Sequence, residues 1–123
     1  MMLKDKLYHI KQMDYSESEL RAEIALNENH SIFSGHFPDI PVLPGVTMMQ
    51  MIKELLEEAE KSKMRLKKAA NMKFLQMINP LKNKYIQVVV KVKENTEDSM
   101  KISGQILAEE HICFKISAQL IKL

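Results

Sequence analysis

The chain is short of several things, and each shortage closes off a class of protein. It has a single cysteine, Cys113, so no disulfide can form within it, and a reducing compartment fits. No long apolar run follows the lysines of MMLKDKLYHIKQMDY. A signal peptide or membrane span is therefore not expected, and a cytoplasmic location is. Three glycines and four prolines in 123 residues do not make a disordered chain. Neither sign of charge dominates. Eighteen Lys and Arg oppose sixteen Asp and Glu, a formal +2, which is no footprint for nucleic acid. Repeats, linkers and low-complexity stretches are missing as well, and the length fits one domain, residues 1–123, around one core.

What is present is mostly β-pattern around one helix. Leu3 to Tyr15 mixes apolar residues with lysines and starts either a strand or a short helix. Glu19 to Asn27 alternates, with Leu20, Ala22, Ile24 and Leu26 on one face, the period of a half-buried strand. NENHS reads as a turn. From about Val46 to Lys61 the spacing predicts an amphipathic helix. Met48, Met49, Met51, Ile52, Leu55, Leu56 and Ala59 share its apolar sector, and Gln50, Lys53, Glu54, Glu57 and Glu58 lie opposite. KSKMRLKK closes it with positive charge, which complements the helix dipole. Strands are expected over Ala69 to Ile78, Tyr85 to Lys93 (YIQVVVKVK, the strongest β signal), Met100 to Ala108 and Ile112 to Leu120. One long helix with one or two strands before it and four after it implies an α+β domain, an antiparallel sheet wrapping the helix.

The stretch most costly to build for packing alone is HSIFSGHFPDIPVLPGVTMMQMI, His30 to Ile52. His36 stands between Gly35 and Phe37, and Pro38, Pro41 and Pro44 stiffen the backbone before the helix begins. A rigid, non-repetitive loop feeding an apolar helix is where function more often sits than fold. Its imidazole titrates near neutral pH, as a general base must. Backbone N–H groups around Gly45 and Val46 have no intrahelical acceptor and can point at a carbonyl oxygen that gains negative charge.

GHFPDIPVLPGV resembles the active-site segment of the hot-dog-fold (3R)-hydroxyacyl-acyl-carrier-protein dehydratases of the FabZ type. The family pattern G-H-F-P-x-x-P-x-x-P-G-V is matched by Gly35, His36, Phe37, Pro38, Pro41, Pro44, Gly45 and Val46. Further on, Met72, Lys73, Phe74 and Pro80 follow the family's strand before a Pro-Gly-Asp turn, whereas Leu81 and Lys82 depart from it. The family's catalytic Glu, four residues after the Val, is replaced by Gln50. Its Leu-Pro-His-Arg-Tyr-Pro-type N-terminal segment has no counterpart.

The resemblance implies a hot-dog domain that dehydrates (3R)-hydroxyacyl thioesters of an acyl-carrier protein to trans-2-enoyl thioesters, without a cofactor or metal. The setting would be fatty-acid or polyene-type lipid synthesis. His36 would be the acid/base and Gly45 would polarise the thioester carbonyl. Val46, Phe37, Pro44, Met49 and Phe74 would contact the substrate, and the helix methionines would line an acyl channel as well as the core. The active site would be assembled between subunits of at least a homodimer. Gln50 cannot exchange a proton, but it can hydrogen-bond the substrate hydroxyl or a water. That leaves His36 to remove and return the proton alone, in a slower or partner-dependent enzyme; Glu54, one turn on, is a lesser candidate for the acid. Two alternatives stand beside this reading: a non-catalytic acyl-binding subunit whose paralogue supplies the carboxylate, and a hot-dog thioesterase in which His36 and Gln50 position water.

The remaining candidates have plainer readings. His30 with His36 lacks the further ligands of a metal site, so His30 reads as a turn residue. Cys113 reads as a small strand residue rather than a nucleophile, and His9 and His111 as structural or exposed. Lys61, Lys63, Arg65, Lys67 and Lys68 form a solvated basic face, on which an acidic carrier protein would prefer to dock.

Overall fold

Strict alternation in Leu20, Ala22 and Ile24 buries one face of a strand, and the same rule builds most of the molecule. In the computed structural model, which describes residues 2–33 and 41–123, the chain forms β1 (Tyr8–Ser16), β2 (Glu19–Leu26), a short 3-10 turn (Ser31–Phe33) and α1 (Gly45–Glu60). Four strands follow: β3 (Met64–Phe74), β4 (Tyr85–Asn95), β5 (Ser99–Ala108) and β6 (His111–Lys122). They make one antiparallel sheet in the order β1-β2-β4-β5-β6-β3, with α1 packed on its inner face. The antiparallel sheet and single helix expected from the sequence are both present.

Burial drives that packing. Met51, Leu55 and Leu56 of α1 are fully buried among Leu20, Ile24, Val88, Val90 and Phe114. Each such side chain contributes about 1.5–3 kcal/mol. Together they outweigh the ~1 kcal/mol forgone because Pro44, in the N-cap position, offers no side-chain cap. In the sheet, Gly104 lets the helix sit close: a Cβ there would lie 3.1 Å from Ile52 Cδ1 and 3.4 Å from Ile116.

Two boundaries differ from the sequence expectation. The helix stops at Glu60, and Lys61 takes a left-handed conformation, φ 53°, donating its N–H to Glu57 O. The basic run after it is not a helix end, because β3 already starts at Met64 and stops at Phe74, not Ile78. The Glu57 carboxylate accepts the Met64 N–H at 2.8 Å and launches the strand beside Lys122 of β6. Among the described residues β3 pairs only with β6, so it is an edge with little need for an alternating pattern.

The far end of α1 is clamped. Tyr15 Oη donates to Glu60 Oε2 at 2.7 Å, and Lys122 Nζ reaches Glu60 Oε1 at 3.4 Å and Thr96 O at 2.8 Å. The Tyr15 bond, opposed in part by burial and reinforced by Lys122, holds the Glu60 carboxyl below its ordinary range. Burial and the same bond push the Tyr15 phenol up to about 12. A depressed carboxyl pKa stabilises the fold above the unfolded value, about 4.3, and the contribution is lost as pH falls through the folded value. Glu60→Gln is therefore expected to flatten the acid limb of stability below about pH 5 in urea melts. An unchanged limb would remove the clamp from the account.

Candidate active site

The proline-rich loop delivers the helix start, and Leu43 N–H, bonded to Ile78 O at 2.9 Å, fixes the delivery point. Pro44 is extended, φ −67° and ψ 148°, and helical conformation begins at Gly45. The intrahelical ladder begins when Thr47 and Met48 donate to Pro44 O, and the Thr47 hydroxyl donates to the same oxygen. The N–H groups of Gly45 and Val46 precede it and have no acceptor within the helix, at the end where the helix dipole favours negative charge. Gly45 is demanded by packing as well: a Cβ there would run into the Phe74 ring.

Beside this helix start lies a cavity of about 450 Å³. Val46, Met49, Gln50 and Lys53 of α1 form one wall, Met64, Arg65 and Leu66 of β3 another, and Ile102, Ile116, Ala118 and Leu120 the floor. The floor is apolar, and the polar groups gather along the α1 and β3 edges. Lys53 Nζ is held by Glu57 Oε2 and Met64 O, both at 3.4 Å. Among the described residues of the lining, none carries a carboxylate side chain.

The candidate residues from the sequence fall in three places. Val46, Met49 and Gln50 share the 450 Å³ cavity. Pro44, Gly45 and Phe74 border a second depression of about 340 Å³ on the other side of the helix start, with Leu75 and Met77. Phe74 is 57% exposed there, its ring 5.1 Å from that of Phe114. His36 and Phe37 lie outside the described residues.

The sequence reading placed Gln50 and Glu54 on the solvent side of α1, and for Glu54 that is wrong. Glu54 is 3% exposed. The segment before β1 folds over it, so that Leu3 N–H donates to Oε2 at 2.8 Å, Lys4 N–H to Oε1 at 2.9 Å and Tyr8 Oη to Oε1 at 2.9 Å. Gln50 Nε2 is the fourth donor, 2.8 Å from Oε2. Burial, then the charge of Glu54, push the Tyr8 phenol far above its ordinary value, which keeps it a donor. A carboxylate this fully engaged is no reserve acid for the cavity. The i,i+4 spacing of Gln50 and Glu54 was the sequence signal for their pairing; nothing local announced the cover.

The plainer readings of two other residues fit their surroundings. His30 Nδ1 accepts the Ile32 N–H at 3.0 Å within the turn. Cys113 is buried with its thiol pKa raised by that burial, the opposite of an activated thiolate.

A six-stranded antiparallel sheet packed on one long helix defines the hot-dog class. Solved structures bear out the fold: a hypothetical thioesterase protein of Streptococcus pneumoniae with coenzyme A superposes with a TM-score of 0.66 at 11% identity, covering 94% of this chain and 85% of that one. A thioesterase of Haemophilus influenzae gives 0.66 at 13%, covering 96% and 80%. At that identity the likeness is one of fold alone. In sequence, the chain is 34% identical over 70 residues to the 3-hydroxyacyl-acyl-carrier-protein dehydratase FabZ of Streptococcus suis, covering 51% of this chain and 50% of that one. The FabZ of Streptococcus agalactiae is 35% identical over 63 residues, with 51% and 41% covered. The chain thus spans about half the length of the curated relatives it matches. The family model of the ApeI-like dehydratases matches residues 11–115, and the chain belongs to that family.

Proposed function

We propose that the protein dehydrates (3R)-hydroxyacyl thioesters to trans-2-enoyl thioesters, with an acyl-carrier protein as the carrier, in fatty-acid or polyene-type lipid synthesis. The observation that carries this is that Val46, in the first turn of a helix without a side-chain cap, shares the wall of an apolar cavity with Gln50. The acyl chain lies in the cavity. The thioester oxygen faces the N–H groups of Gly45 and Val46, which stabilise the enolate formed when His36 takes the proton from C2. The C2=C3 double bond then forms as the C3–O bond breaks, and His36 returns its proton to the departing hydroxyl, which leaves as water. Gln50 accepts a hydrogen bond from that hydroxyl and orients it; it transfers no proton. No cofactor enters this scheme.

The site is completed by a second copy of the chain. β3 is an open sheet edge, and Phe74 and Met77 at and beyond its end are 57% and 69% exposed. Unpaired edges and apolar patches of this kind invite pairing. Basic residues on the same strand, Arg65, Lys67 and Lys68, offer the carrier protein a landing face.

A second reading is favoured by the lack of a carboxylate side chain on the described cavity lining: an acyl-binding subunit whose paralogue supplies the acid. Mass spectrometry of a (3R)-hydroxyacyl-carrier protein incubated with the purified chain separates the two. Loss of one water from the acyl group is the expected result. An unchanged acyl chain would favour the binding subunit, and loss of the whole acyl group would mean a thioesterase.

A further inference from the structure

The register of the sheet gives the 450 Å³ cavity a direction. At one end the Phe74 ring stands against Gly45, and Phe74 pairs with Phe114 of β6, so this end lies under the helix start. The floor then follows β6 through Ile116 and Ala118 to Leu120. At the other end Leu120 pairs with Leu66, and Met64 opens β3 beside Lys53. Along α1 the same course runs from Val46 to Lys53, about 10 Å of helix. Along β6 it runs from Ile116 to Leu120, about 13 Å of strand.

That far end is crossed by a polar bridge. Lys53 Nζ reaches Glu57 Oε2 and Met64 O, both at 3.4 Å, and the same Glu57 oxygen accepts the Met64 N–H at 2.8 Å. These contacts close a ring between α1 and the first residue of β3, the element that forms the facing wall. Both side chains are shielded, Lys53 24% and Glu57 12% exposed, so water competes weakly for their charges. An apolar floor that ends at a charged bridge is a channel with a stop.

We propose that Lys53, held by Glu57 and Met64, is the distal stop of the acyl cavity, so that the protein takes medium-length acyl chains and refuses longer ones. This rests on the acyl site described under the proposed function. With the thioester at Gly45 and Val46, the chain lies along the course from Val46 to Lys53. At a C–C bond of ~1.5 Å, an extended zigzag of eight to ten carbons spans roughly that length. Each methylene added up to that point is buried on the floor and should tighten binding about fourfold. The next one meets an ammonium group that cannot move aside without giving up Glu57 and Met64 O. Ala118 is the other determinant of length. It sits midway along the floor, opposite Ile102, and its single methyl leaves the depth that the chain needs.

Titration calorimetry with pantetheine amides of straight-chain acids, from hexanoyl to hexadecanoyl, tests this without turnover. In the wild type, affinity should climb with chain length and level off at about decanoyl. Lys53→Ala should carry the climb on to tetradecanoyl, with about tenfold tighter binding of that probe. Ala118→Leu should end the climb earlier, with about tenfold weaker binding of the decanoyl probe. A limit left in place by either change overturns the proposal, and so does a wild-type climb that never levels off. Those outcomes leave the acyl site standing, whereas binding of no probe at any length removes the site along with its stop. Where a variant fails to fold, the wild type decides alone. The terminal methyl of the bound decanoyl probe should show NMR cross-relaxation with the side chains of Lys53 and Met64. Cross-relaxation with Phe74 and Met77 instead would place the tail in the other depression and contradict the proposal.

Discussion

Replacing His36 with alanine should lower the dehydration rate by about 10²–10⁴-fold, the usual worth of a general acid–base group. The fall should be in kcat, with little change in KM, because an interaction made only in the transition state is being removed. Among the described residues that line the cavity, none is placed to take over. Gln50 has no proton to exchange, Glu54 is saturated by four donors, and the described cavity lining has no carboxylate side chain. What remains in the variant is the cavity and the helix start, which bind and polarise but do not move protons. Steady-state kinetics on a (3R)-hydroxyacyl-carrier protein checks this. A variant that keeps a tenth or more of the wild-type rate would mean that another base does the work.

Glu54→Ala is expected to be the most damaging single change to stability. It strips the acceptor from Leu3 N–H, the Tyr8 hydroxyl, Lys4 N–H and Gln50 Nε2 at once, all of them buried or partly so. An orphaned buried donor costs about 1–3 kcal/mol, and breaking a buried charged network about 3–5 kcal/mol. Water entering the vacated space relieves part of this, so about 3–5 kcal/mol is the expected total. Against a whole-domain stability of about 5–15 kcal/mol, that is a melting temperature lower by some 10 °C or more. The segment from Leu3 to Tyr8 should also lose protection from hydrogen exchange first, because it is the cover that Glu54 holds down. A loss below about 1 kcal/mol in urea denaturation would show that the cover is held by its apolar residues Leu3 and Leu7 instead.

The parts of the fold that were legible in the sequence are those where one face meets the core and the other meets water. β2, β4, β5 and β6 announce themselves by alternation, and α1 by the spacing of Met48, Met51, Ile52, Leu55 and Leu56. β3 was misplaced because an edge strand rich in lysine answers to neither pattern, and its start is set by a bond from Met64 N–H to Glu57. Glu54 was misread for a different reason. A helical wheel separates apolar from polar residues, and it has no way to register that Leu3, Lys4 and Tyr8, some fifty positions earlier, supply donors that make a buried carboxylate affordable. The candidate site was legible chiefly through the GHFP to PGV motif. Composition alone would have left His36 as a loop histidine, and Met49 and Val46 as ordinary core residues. In the structure Met49 is half-buried on the cavity wall and Val46 is 70% exposed.

In the proposed function the chemistry runs on one proton-transferring group, His36, with Gln50 as a hydrogen-bond acceptor. The pH dependence of kcat/KM for dehydration tests it most directly, since that ratio reports the essential acid and base of the free enzyme. With one base and no separate acid, the rate should rise with pH through a single transition and then stay level, with no falling alkaline limb. The two tyrosines bonded to carboxylates add no limb there: burial and Glu54 hold the Tyr8 phenol up, and Tyr15 is pushed up to about 12. Gln50→Glu should convert the curve into a bell by restoring a group that must be protonated. A bell-shaped profile in the wild type would reveal a second titrating group and contradict the single-histidine account.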